Sequence, residues 1–141
     1  MTNEQKKMRT NGIIIAVLGI ALAVATWSPI YPLARLFLNL AHWPFSTAPA
    51  VPDATIRLML AIGGGLTAGM GAMVWTVGTE VMPVAPQAGR KVILYSAWSW
   101  FICDSTFSIV AGSPFNAVLN LIFLALMLGG IDFKNRKIAQ Q

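Results

Sequence analysis

Asp104 is the residue whose type and position most directly invite chemistry. It stands inside an otherwise apolar run, residues 92–111. An ionisable side chain at such depth in a bilayer costs about 2.5–3.5 kcal/mol on insertion scales and is turned toward a partner, a ligand or water. A carboxyl there accepts hydrogen bonds when charged, or donates one and carries a proton when neutral. Ser108 follows it by one helical turn. Asn116 and Asn120 repeat that spacing after Gly112-Ser113-Pro114, a sequence that reverses a chain sharply. In an antiparallel hairpin Asp104 and Asn120 lie about 13 and 11 Å from the turn at 1.5 Å per residue, so they meet. Ser108 and Asn116 form a second rung nearer the turn. Arg57, at the start of another apolar run, enters from the same side and is a candidate partner for Asp104 or for an anionic ligand group.

Two readings of this cluster stand side by side. Asp104, Ser108, Asn116 and Asn120 can bond to one another across the hairpin, each contact adding about 0.6–2 kcal/mol to helix association. Alternatively they line an outward-facing pocket with Arg57, floored by a glycine-rich helix and lidded by a segment carrying Arg35 and His42. Other chemistry is thinly represented. His42 is the sole histidine and Cys103 the sole cysteine. Neither a metal or haem site, nor an intrachain disulfide, nor a Ser/His/Asp set in membrane register is expected. Tyr95, Trp98, Trp100, Phe101 and Phe107 either stack on a flat ligand such as a quinone ring or serve packing and interface anchoring. No cofactor is expected.

The elements that must position these residues follow from composition. Of 141 residues 56% are hydrophobic and 11% charged, under half the roughly 25% charge of a soluble domain. Apolar runs at 12–27, 56–77, 92–111 and 115–131 each approach the ~17–25 residues that cross a bilayer. The expected fold is an all-α integral membrane protein, a single domain with four transmembrane helices. A short interfacial helix is expected between the first two, over 33–43. There Leu33, Leu36, Phe37 and Leu40 share one face, Arg35, Asn39 and His42 another, and Trp43 anchors the end. Pro44, Pro49 and Pro52 make an extended connection, and residues 79–91 a loop on the opposite side. Ser28-Pro29 ends the first span.

A cytoplasmic amino terminus puts Lys6, Lys7, Arg9, Arg90, Lys91, Lys134, Arg136 and Lys137 inside, and only Arg35 and Arg57 outside. That asymmetry orients the chain with both termini cytoplasmic. The net charge of +5 then reflects topology and anionic headgroups rather than nucleic acid. The first run, ending Ala23-Val24-Ala25, also fits a cleavable secretory signal, which would leave three helices in the same orientation. In the second span Gly65 and Gly69 have GxxxG spacing, extended by Gly64 and Ala68, and mark a face for close helix approach. The match of residues 63–68 to a dinucleotide-binding fingerprint lacks the preceding strand and the later acidic residue.

Residues 62–75 (IGGGLTAGMGAMVW) and 100–112 (WFICDSTFSIVAG), followed by Asn116 and Asn120, are similar to small bacterial membrane proteins of the DoxX-like and BphX-like sort. The similarity runs over about residues 57–128. It implies four helices in the bacterial inner membrane and, for some DoxX-like members, association with quinone or sulfur redox systems. The leading expectation is a non-enzymatic accessory subunit, or a binder of a hydrophobic quinone- or lipid-like molecule, in a homo-oligomer or larger membrane complex. The alternatives are a small proton-coupled transporter acting as a homo-oligomer and a quinone-docking subunit. Genuine flux lost in Asp104→Asn would single out the transporter.

Overall fold

The computed structural model describes residues 1–27 and 29–131. Ser28 and the basic residues Lys134, Arg136 and Lys137 lie outside the described residues. The described chain is all-helical: α1 (Asn3–Val24), α2 (Tyr31–His42), α3 (Ala54–Thr76), α4 (Pro86–Val110) and α5 (Pro114–Leu128). By length and composition α1 and α3, the latter with its extension to Val81, suffice to cross a membrane; α5 is apolar but shorter.

Several helix boundaries differ from the apolar runs because polar residues extend the helices. α1 starts at Asn3 rather than near Gly12, since Thr2 and Gln5 cap each other reciprocally. Lys6, Lys7 and Arg9 therefore ride on the helix. The loop expected over 79–91 shrinks to residues 82–85, because α3 continues as a π-helical turn, Val77–Val81, and α4 begins at Pro86. Proline at the first helical position needs no amide hydrogen, so it starts a helix readily. Asp53 caps α3 by accepting the Ile56 amide at 2.7 Å. The α4–α5 reversal takes place at Gly112, with φ of 80°, a conformation that side chains with a Cβ disfavour.

Two antiparallel helix pairs, α1 with α3 and α4 with α5, make up the body. The first pair is joined by small residues. A Cβ on Gly12 would lie 2.7 Å from the Gly71 carbonyl oxygen, and one on Gly19 2.7 Å from that of Gly64. Reciprocally, Cβ atoms on Gly64 and Gly71 would meet the Gly19 and Gly12 oxygens at 2.6 Å. These helices thus touch backbone to backbone along Gly12, Ala16, Gly19 and Ala23 on α1 and Gly64, Ala68, Gly71 and Trp75 on α3. The expectation for Gly65 and Gly69 is corrected here. Nothing lies within 4 Å of a Cβ built on either, so the intramolecular approach uses the neighbouring face of the same helix.

The two pairs meet around Met8, Ile15, Val74, Val77, Met82, Ile93, Ala97, Leu124 and Met127. Asn11 crosses from α1 to donate to the Leu126 carbonyl of α5 at 2.9 Å. At the end bearing Lys6, Lys7, Arg9 and Lys91, Arg90 clasps Glu4 through two hydrogen bonds, Nε to Oε1 at 2.9 Å and Nη2 to Oε2 at 2.7 Å. The two side chains are only 15% and 11% exposed. Hydrogen bonds to charged groups contribute about 1.5–3 kcal/mol. Glu4→Gln should therefore lower the thermal unfolding midpoint measurably, whereas Lys7→Gln, on an exposed side chain, should leave it unchanged.

At the opposite end α2 packs Tyr31 and Ala34 against Ala25 and Leu60. Its polar face is spent on the connection that follows. Tyr31 donates through its hydroxyl to the Pro49 carbonyl at 3.0 Å, Arg35 through Nε to the Ala48 carbonyl at 3.1 Å, and Asn39 accepts the Ala48 amide at 2.7 Å. Leu33 and Leu36 point outward, 70% and 60% exposed, while Leu38 packs inward.

Candidate functional site

Asp104 and its neighbours come together as the hairpin geometry requires. Pro114 starts α5 immediately after the turn, so α4 and α5 leave it in register. The Asn116 side-chain amide donates to Asp104 Oδ2 at 3.1 Å and to Ser108 Oγ at 2.9 Å. The Asn120 amide donates to the same Oδ2 at 2.5 Å and to Ser105 Oγ at 3.1 Å. Each primary amide has two N–H donors, so all four are committed. Ser105 is a member that sequence reading missed. It sits beside Asp104 at the depth of Asn120, and that shared depth was the available signal.

The environment of this ladder is uneven. Asn120 and Ser105 are buried, 5% and 8% exposed, while Asp104, Ser108 and Asn116 are half-buried. Among the described residues Asp104 Oδ1 receives no donor. No sealed side-chain nitrogen or oxygen there lacks a partner, so Oδ1 opens outward. Trp100 stands one turn from Asp104 toward the basic end of α4, and Phe123 one turn from Asn120 on α5. Their rings approach with centroids 6.1 Å apart, a partly buried aromatic pair packed against the apolar core one helical turn from the ladder.

Arg57 is not brought to the cluster. Its Nη1 donates to the Pro52 carbonyl at 3.0 Å, because the chain entering α3 lies within easier reach than the hairpin. The expected pairing of Arg57 with Asp104 is thereby corrected. Nor do Gly65 and Gly69 floor the site, since α3 presses its other face on α1. Of the lid residues, Arg35 is held by its own connection. His42 does reach the hairpin, its Nδ1 lying 2.5 Å from Ser113 Oγ at the turn. Trp43 meets Phe115 edge to face at 5.6 Å beside it. α2 thus covers the turn, with the polar ladder deeper in the hairpin. Cys103, next to Asp104, is a free and exposed thiol. No group of three or more His, Cys, Asp or Glu side chains suited to a metal ion occurs among the described residues.

Compared with protein-family profiles, curated proteins and solved structures, the chain matches none.

Proposed function

We propose that this chain is a multi-pass protein of a bacterial cytoplasmic membrane, with both termini cytoplasmic, that binds a hydrophobic small molecule at the Asp104 ladder. In this reading α1, α3, α4 and α5 all span, and α2 lies in the outer interface. The apolar outer surface of the helices supports it. Glycine, serine and asparagine fill helix contacts, while Ile13, Val17, Leu66, Ile102, Phe107 and Ile122 are exposed, an apolar surface far beyond what single scattered residues give. Lys6, Lys7, Arg9, Arg90 and Lys91 gather at the end clasped by Glu4, and Arg35 and Arg57 at the other, as the positive-inside rule asks.

The observation that carries the binding role is the open Oδ1 of Asp104. A purely structural ladder has no use for an intramembrane carboxyl oxygen left without a donor. An amphiphile entering from the outer leaflet can bring a hydrogen-bond-donating polar head to that atom and its tail to Phe107, Val118 and Leu121. Native mass spectrometry of protein gently extracted from its own membrane tests this. Wild type should carry a defined small molecule that Asp104→Ala has lost, at unchanged oligomeric mass. Retention of the same molecule by a folded Asp104→Ala variant would overturn the reading.

A further inference from the structure

Resting on that binding role, we infer that the ligand is a lipophilic cation, an amphiphilic ammonium, recognised by Asp104 Oδ1 one helical turn from the Trp100–Phe123 aromatic pair. The hydrogen-bond inventory selects this class. Both N–H bonds of Asn116 and both of Asn120 are consumed by Asp104 Oδ2, Ser108 and Ser105. Within the ladder, the carboxyl and carboxamide oxygens that accept no donor from the described residues are Asp104 Oδ1 and the Oδ1 atoms of Asn116 and Asn120. The amides therefore offer a newcomer acceptors, and a quinone carbonyl, itself an acceptor, finds no amide N–H left to take.

Charge points the same way. Arg57 and Arg35 are engaged by backbone carbonyls at the edge of the molecule. The ion pair among the described residues, Glu4–Arg90, lies at the far end of α4, about 21 Å from Asp104 at 1.5 Å per residue. Among the described residues the carboxylate thus has amide donors but no cation partner, and a carboxylate in apolar surroundings gains most from an opposite charge. One turn away lie the partly buried rings of Trp100 and Phe123, and aromatic faces attract a desolvated cation through their quadrupoles. An open carboxylate oxygen one turn from paired aromatic rings is suited to an ammonium head, with exposed Phe107 and Val118 beside it for the apolar remainder.

The test uses the full chain purified in detergent, with radiolabelled tetraphenylphosphonium as cationic probe and decylubiquinone as neutral acceptor probe, measured by equilibrium dialysis. Wild type should bind tetraphenylphosphonium saturably, and unlabelled decylamine should displace it. Asp104→Asn, which keeps an oxygen for the amides and so preserves the ladder, should weaken binding at least tenfold. Trp100→Ala should weaken it severalfold and Trp100→Phe much less; circular dichroism verifies that each variant is folded. Saturable decylubiquinone binding lost in Asp104→Asn, without tetraphenylphosphonium binding, would overturn the cation assignment while leaving the binding role standing. Tetraphenylphosphonium binding equal in wild type and Asp104→Asn, or absent from both, would also overturn it. The native-membrane ligand search judges the binding role independently.

Discussion

Gly19→Leu and Gly64→Leu are each expected to abolish accumulation of folded protein, while Gly65→Leu and Gly69→Leu leave it near wild-type levels. All four change the same residue type to the same side chain in apolar helices, so lost helix flexibility and added hydrophobicity are matched. The difference is what the new Cβ meets. At Gly19 and Gly64 it would lie 2.7 and 2.6 Å from a carbonyl oxygen of the facing helix, well inside van der Waals contact and against backbone that cannot rotate away. Overpacking a core costs about 1–3 kcal/mol when side chains can shift, and more when they cannot. Forcing two helices apart along a four-point seam belongs to the second case. At Gly65 and Gly69 nothing lies within 4 Å. Fluorescence-detected size-exclusion chromatography of the four variants after gentle extraction is the measurement. Equal loss in all four would mean that α3 meets α1 by a different face.

The second large effect belongs to the polar ladder. Asp104→Ala removes the acceptor shared by two amides, leaving one N–H of Asn116 and one of Asn120 unpaired in a half-buried to buried setting. An unsatisfied buried donor costs about 1–3 kcal/mol, so this variant should lose about 2–4 kcal/mol of stability. Asn120→Ala should lose less, because Asn116 still holds the carboxyl. The double variant should then be less destabilised than the sum of the two, with a coupling of about 0.5–2 kcal/mol, the range measured for interhelical bonds in membranes and for residues in one network. Thermal unfolding of the four-member cycle in one detergent reads this directly. Strict additivity would mean that Asp104 and Asn120 do not touch.

The contrast between these two sites explains what could be read from the sequence. The ladder was legible because a three-residue turn fixes the register of the helices on either side, and counting from Ser113 puts Asp104 opposite Asn120 without knowledge of any other contact. The helix seam was not, because α3 offers small residues on adjoining faces: Gly65 and Gly69 on one, Gly64, Ala68 and Gly71 on the next. Choosing between them requires the partner. Gly12, Ala16, Gly19 and Ala23 repeat the spacing of Gly64, Ala68, Gly71 and Trp75, and that match between distant segments was the usable signal. Arg57 escaped for another reason. A long side chain at a helix entrance has several carbonyls within reach, and sequence spacing does not rank the Pro52 carbonyl above a carboxylate elsewhere. The exposed apolar face of α2 was legible from its two faces, although its polar face serves the 44–52 connection rather than an open pocket.

The seam between α1 and α3 also imposes an order of events on synthesis. α1 is complete at Val24 and its partner only at Thr76, so at about 5–20 residues per second the first helix waits roughly 3–10 s for its neighbour. Throughout that interval its row of Gly12, Ala16, Gly19 and Ala23 leaves a strip of backbone uncovered. The apolar residues around the remainder of the helix keep it seated in the proposed bilayer meanwhile. Early release of a nascent chain, before α3 has emerged, would therefore hand the quality-control machinery a helix still incomplete along one side.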